Sequence, residues 1–277
     1  MELTDWLREA RDVLTAQGYT CAYLAIYGSQ NYGLALDMPD YRSDVDVKCA
    51  VLPSLAQLAR EESVPPVTLD WRGGQIDVKD ARRFVEIAMR MNPAYLETLV
   101  TPHAMALCPA FETVRAQVQP LLERDPAGFL QACCGMGRQK VKALCHPYPA
   151  AMEKLRRYGY DGKQAHHLYR LLLVMRAFCD TGRYVLEPPA SERDFLLALK
   201  RNELPLDRVQ ALTADWLAQM ATICTEHGGR SRGPGGPGKR MKRAVCEAIE
   251  AHAREEALLS AVPAVDHAQA EDTWPTL

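Results

Sequence analysis

The stretch from Ile26 to Val47, IYGSQNYGLALDMPDYRSDVDV, decides how this chain is read. An apolar run, Ala22 to Tyr27, ends at Gly28-Ser29, and a loop containing Tyr32 and Gly33 follows. A second run, Val45 to Val51, begins beside Asp44 and alternates Val, Val, Cys and Val with Asp, Lys and Ala, the period-two pattern of a strand. Residues two apart on a strand face the same way, so Asp44 and Asp46 project together. Two unit charges about 4 Å apart repel by about 4 kcal/mol at an effective dielectric of 20, so the pair calls for a cation or a shared proton.

Working outward, Val67 to Val78, VTLDWRGGQIDV, has two β-prone arms around Gly73 and Gly74, as a hairpin would, and carries Asp77 between Ile76 and Val78. If that arm pairs beside the Asp44–Asp46 strand, three carboxylates converge. All-oxygen ligands suit magnesium, with manganese as the alternative, and three carboxylates are the layout for two ions around a triphosphate. Gly28 permits close backbone approach, and successive N–H groups with the Ser29 hydroxyl can cradle phosphate oxygens. No G-x-x-x-x-G-K-[ST] occurs, which argues against a P-loop ATPase. A Gly-Ser after a strand is ordinarily just a turn, and a D-x-D pair at a sheet edge is often merely solvated. The ordered set of strand, Gly-Ser, loop, D-x-D strand and third Asp strand favours chemistry.

The opening residues 4–17 have the spacing of an amphipathic helix with Thr4 as N-cap, and Ala81 to Leu99 read as a helix interrupted at Asn92-Pro93. Helices are predicted over Phe111–Leu122, Pro126–Leu144, Pro149–Tyr158, Lys163–Thr181, Glu192–Lys200, Leu206–Glu226 and Lys239–Leu259. Gly228 to Gly238, GGRSRGPGGPG, has the composition of a flexible linker. The expectation is an α+β protein: a small mixed β-sheet domain with flanking helices over 1–107, an all-helical domain over 108–262 that completes the cleft, and a loosely ordered tail over 263–277.

The chain has 277 residues, 48% of them apolar, enough for two cores. Lys plus Arg number 33 against 35 Asp plus Glu, so no global field drives binding to polyanions and any such partner needs a local patch. Nine cysteines without C-x-x-C spacing argue against zinc or a disulfide framework. The start carries charges and has no apolar leader region, and no stretch approaches the roughly 18 apolar residues of a membrane span. A cytoplasmic protein without a membrane partner is expected; oligomeric state and base preference are not legible.

These motifs resemble the signature of the DNA polymerase beta-like nucleotidyltransferase superfamily. More narrowly, GSQNYGL with SDVDV is similar to the bacterial nucleotidyltransferase family of the RNA repair pathway polymerase-beta type. NPAYLETL at 92–99 resembles that family's Asn-Pro-x-x-x-Glu-x-Leu element, and GYDGKQAHHLYRLL at 159–172 its K-x-A-x-H-x-x-R-L-L helix. The resemblance spans roughly residues 22–215. It implies metal ligands at Asp44, Asp46 and Asp77, triphosphate contacts at Gly28 and Ser29, and two Mg2+ ions with NTP bound. Fourteen residues separate Ser29 from Asp44, more than the usual spacing, so the loop through Asp37, Met38, Pro39 and Asp40 reads as an insertion.

Lys163, His167 and Arg170 at i, i+4, i+7 share one helix face and, with Tyr32, complete the expected nucleotide-binding set; a solvated basic stripe is the alternative. His166, about 100° away, is expected to be incidental. Arg138, Lys140 and Lys142 form a weaker basic face, and Arg230 to Arg243 carry six basic and no acidic residues, an arm for an RNA backbone or a plain linker. The reaction expected is transfer of a nucleoside monophosphate from an NTP such as ATP to an acceptor hydroxyl, an RNA end being the candidate, with release of pyrophosphate. The alternatives are a protein or small-molecule acceptor, or a nucleotide-binding regulatory or toxin–antitoxin-like protein without turnover.

Overall fold

The computed structural model describes residues 2–38 and 41–261. The expected tail over 263–277 and Pro39-Asp40 of the expected insertion lie outside the described residues.

Two strand runs read from the sequence are neighbours. Strand β1 (Thr20–Tyr27) runs antiparallel to β4 (Asp46–Leu52), with Tyr27 opposite Asp46. Between them lie β2 (Asp37–Met38) and β3 (Tyr41–Arg42), which pair only with each other as a small separate ribbon. The hairpin is β5 (Val67–Trp71) with β6 (Gly74–Asp80), turned at Arg72-Gly73, both at positive φ as a two-residue turn requires. The turn falls one residue before Gly74 because Gly74 has another duty. A Cβ there would lie 2.3 Å from the Val45 carbonyl oxygen, so only glycine lets β6 approach the Asp44–Asp46 segment. Strand β7 (Ala104–Ala106), three residues too short for a periodic signal, completes a mixed sheet of order β5-β6-β4-β1-β7 with β4 and β6 parallel.

Helix α1 (Leu3–Ala16) covers one sheet face, burying Leu7, Ala10 and Leu14 against Leu24, Ile26, Val47 and Ile76. The other face, with Tyr23 and Ala50, opens into a larger core that continues through the helices to Leu168 and Met220. Its order is α2 (Leu55–Ala59), α3 (Ala81–Met89), α4 (Pro93–Val100), α5 (Pro109–Ala116), α6 (Val118–Arg124), α7 (Pro126–Ala143), α8 (Met152–Tyr158), α9 (Gly162–Thr181), α10 (Arg193–Lys200), α11 (Leu206–Ile223) and α12 (Gly235–Ala261). The helix predicted over 111–122 is two helices, because Pro120 lacks an N–H and its ring would clash with the Ala116 carbonyl; it fits only in the first turn of α6. The predicted linker at 228–238 is an anchored loop that already becomes helix at Gly235, and α12 packs back on α3, α5 and α6. No described helix is long and apolar enough to cross a membrane.

Phe84 joins the layers: its ring meets Tyr23, Tyr95 and Phe111 edge-on, with centroids 5.0 to 6.0 Å apart. Phe84→Ala is expected to lower stability by about 3–5 kcal/mol, read as a shifted urea midpoint at unchanged slope.

Candidate active site

One cavity of about 280 Å³ opens where β1 ends and β4 begins, against α4, α7, α9 and α10. Gly28, Ser29, Tyr32, Asp44, Asp46, Lys163, His167 and Arg170 all line it, so eight of the nine residues singled out from the sequence come together. Asp77 does not line it.

The sheet side is acidic. Gly28 leaves β1 at φ 85°, a conformation that favours glycine, and turns the chain into the short 3-10 segment Ser29–Tyr32. Asp46 opens β4, and the Gln75 backbone N–H donates to its Oδ1 at 3.0 Å. Burial raises the Asp46 pKa, Lys163 works against the rise, and the Asp44 charge adds to it. A half-buried carboxylate that feels the charge of a second one lining the same cavity fits a hard divalent cation.

Register explains the position of Asp77. In the parallel pair β4–β6, Asp77 lies beside Lys48, one strand step beyond the Gln75 that touches Asp46. Lys48 Nζ is 3.0 Å from Asp77 Oδ2, Lys79 bonds Oδ1, and the Tyr95 hydroxyl donates to Oδ2 at 3.4 Å. Burial alone would raise the Asp77 pKa, but Lys48 and Lys79 hold it below the usual carboxylate value. Lys48 sits 3.9 Å over the Tyr27 ring. The expected convergence of three carboxylates is therefore not what this structure holds; among the described residues, no group of three His, Cys, Asp or Glu side chains gathers as a metal site.

The helical side is basic. Lys163 and His167 face the cavity from α9, and Lys140 reaches it from α7 together with Met136. His166, expected to point away, also lines the cavity: it is 1% exposed, with Nδ1 2.9 Å from the Leu196 carbonyl oxygen. Lys200, at the end of α10, donates to the Leu34 carbonyl at 3.0 Å and to Ser43 Oγ at 2.9 Å. Burial and the nearby Lys163 charge lower its pKa to about 8, against a pull from Asp44. Nothing in the local sequence marked Lys200, since its role arises only when α10 packs on the loop before Asp44.

Glu97 was legible only as part of the Asn-Pro-x-x-x-Glu-x-Leu element, yet it is the hub. It is 1% exposed, and its carboxylate accepts from the Gly28 N–H at 2.8 Å, Asn31 Nδ2 at 3.1 Å, the Tyr32 hydroxyl at 2.9 Å and Arg170 Nη2 at 3.3 Å. The Arg170 guanidinium also lies 3.9 Å over the Tyr32 ring. Burial opposes its charge, but Tyr32 and Glu97 hold it protonated.

A strand ending in Gly-Ser, an antiparallel neighbour opening on paired aspartates and a basic helical wall across the cavity are the arrangement expected of the polymerase beta-like class. The chain belongs to the RNA repair pathway DNA polymerase beta family, whose model matches residues 5–226. No curated protein matches it.

Glu97→Ala would strand the Arg170 charge in the interior. It is expected to cost about 3–5 kcal/mol in urea unfolding, with part recovered in the double variant Glu97→Met, Arg170→Met. A second expectation concerns acid. Burial lowers the pKa of His166 to about 4 and holds His167 well below its ordinary value. Both are neutral in folded and unfolded chains above about pH 6.5; as pH falls from there, the unfolded chain takes up protons that the folded chain refuses. Stability should thus drop by about 3 kcal/mol from His166 alone on reaching pH 4, and His166→Gln, His167→Gln should flatten denaturation midpoints between about pH 6.5 and 4.5.

Proposed function

We propose that this protein transfers a nucleoside monophosphate from an NTP to an acceptor hydroxyl, an RNA end, releasing pyrophosphate. The observation that carries the reading is the division of one cavity into two sides. Asp44 and Asp46 stand with Gly28 and Ser29 on the sheet, facing Lys140, Lys163, Arg170 and Lys200 on the helices. The family's association with RNA repair supports RNA as the acceptor.

Asp44 and Asp46 would hold magnesium, or manganese, which supplies charge neutralisation and acidifies a bound hydroxyl. A second ion would call for a third carboxylate, which Asp77 would supply only if released from Lys48 and Lys79. The exposed Lys163 and half-buried Lys140 suit the triphosphate oxygens, while Ser29 and the first turn after Gly28 provide donors for the same group. The acceptor oxygen forms its bond to the α-phosphorus as the bond to pyrophosphate breaks, and the acceptor proton leaves to water. The basic wall disperses the charge on the departing pyrophosphate.

The pairing of Asp77 with two lysines favours a second reading, in which the site binds nucleotide without turnover. Incubation with each α-labelled NTP, magnesium and short RNA separates the two. Label on RNA that vanishes in Asp44→Asn, with thermal melting unchanged, is the expected outcome, a loss of at least about 10³-fold. Saturable NTP binding without pyrophosphate release would establish the second reading instead.

A further inference from the structure

From His227 to Cys246 the chain contains no Asp or Glu, while Arg230, Arg232, Lys239, Arg240, Lys242 and Arg243 place six cations there, in a protein of formal net charge −2. All six side chains are exposed. Arg240 donates to Gln117 and Arg243 lies 3.7 Å from Glu247; the other four have no side-chain partner among the described residues. None of this charge lines the catalytic cavity.

The segment is held in place. Buried Asp125 accepts from Ser231 Oγ at 2.7 Å, Arg232 N at 3.0 Å and Gly233 N at 2.9 Å, while capping α7 through Gly128 N at 2.9 Å. Burial would raise its pKa, but these bonds lower it, so the anchor stays ionised. Gln131 binds the Gly229 carbonyl at 3.3 Å, and Gly238 is buried against Pro234 and Met89. On α12, Lys239, Lys242 and Arg243 lie at i, i+3, i+4 on one face, opposite buried Met241, Ala244 and Val245. Exposed Arg124 packs against Gly235 and extends the surface. Holding the backbone that carries these cations removes its share of the ordering cost of a contact.

The chemistry points to a repeating anion. None of the exposed large hydrophobic residues lies in the segment, so it has neither the apolar core of a protein interface nor side chains to insert into a bilayer. The segment has no Phe, Tyr or Trp on which a base could stack, so its cations suit the phosphate backbone. The anchor sits at the first turn of α7, and Met136 and Lys140 of the same helix line the cavity. From Gly128 to Lys140 is about 18 Å along a helix rising about 1.5 Å per residue. One rigid element thus carries both surfaces.

We propose that Arg124 and the Arg230–Arg243 segment form a docking surface for the phosphate backbone of the acceptor RNA, holding a strand whose end enters the cavity. The segment lies beyond residues 5–226 matched by the family model, so family membership does not assign this surface. The proposal rests on the RNA-acceptor reading above.

The test is fluorescence anisotropy of a labelled single-stranded RNA with the full chain, titrated over a range of salt. The comparison is with the quintuple variant Arg230→Gln, Arg232→Gln, Lys239→Gln, Lys242→Gln, Arg243→Gln and with Asp44→Asn. With about four phosphates neutralised, the log–log salt slope of the parent should be about −3, since each phosphate on a single strand contributes about −0.7. The quintuple variant, melting as the parent does, should lose at least about tenfold in affinity and most of that slope, while Asp44→Asn should bind as the parent. Parent-like RNA binding by the quintuple variant, or no RNA binding by the parent, overturns the proposal. So does loss of binding to anionic phospholipid vesicles in the variant with RNA binding intact. RNA-end labelling run in parallel keeps the two readings apart. Labelling that depends on Asp44 but not on the five cations removes only the docking surface, whereas docking without labelling removes only the transferase reading.

Discussion

The rest of the site depends on one buried carboxylate. Glu97 accepts from the backbone of Gly28, the side chains of Asn31 and Tyr32, and the guanidinium of Arg170. These donors come from the end of β1, the short turn after it and the middle of α9, so a single residue on α4 ties the phosphate-facing loop to the helical wall. A charge held away from water costs several kcal/mol unless it is paired and fully hydrogen-bonded. That penalty is met at Glu97, whose two oxygens share four donors, and less completely at Arg170, whose Nε and Nη1 are buried without a hydrogen bond. The stacking of Arg170 on Tyr32 adds an electrostatic attraction between cation and ring in the same desolvated space.

Around this pair, charge is sorted by element. The acids stand where β4 begins, and the cations stand on α7, α9 and α10. Lys200 is the contact that couples α10 to the acidic segment, bonding Leu34 and Ser43 just before Asp44. Arg193, on the same helix, lies against Gly33. The helical part is therefore half of the cavity wall and also a brace for the loop that presents Asp44. The site needs both parts assembled, consistent with a core that runs without a break from Tyr23 and Phe84 to Leu168 and Met220.

Asp77 shows how register controls chemistry. In the parallel pairing of β4 and β6, side chains that share a face are two residues apart, so moving an acid by one such step changes its neighbour from Asp46 to Lys48. Lys48, flanked by the Tyr27 and Tyr95 rings, is lowered in pKa chiefly by burial and steadied by Asp77. The ion pair satisfies a buried lysine and a partly buried aspartate at once, and leaves Asp44 and Asp46 as the cavity's acids on the strand side.

The sequence by itself determined the parts governed by local periodicity and turn chemistry: β1, β4, the β5–β6 hairpin, the long helices, and the Gly-Ser and D-x-D pair that meet in the cavity. It also held the family motifs, including the glutamate of NPAYLETL, but local pattern gives no reason for an acid on a helix face to be the buried hub. The three-residue β7 was too short for any period, and the helix break before Pro120 needed the position of a carbonyl four residues back. Composition suggested a mobile linker at 228–238, because glycine and proline weigh heavily in any local estimate; Asp125, more than a hundred residues earlier, anchors it through side-chain and backbone bonds. Tertiary structure alone decided the roles of Glu97, Lys200 and His166 and the partners of Asp77. Each depends on which polar or charged group from a distant segment arrives within bonding distance, and the energy of that meeting is set by burial and register, neither of which is a property of neighbouring residues in the chain.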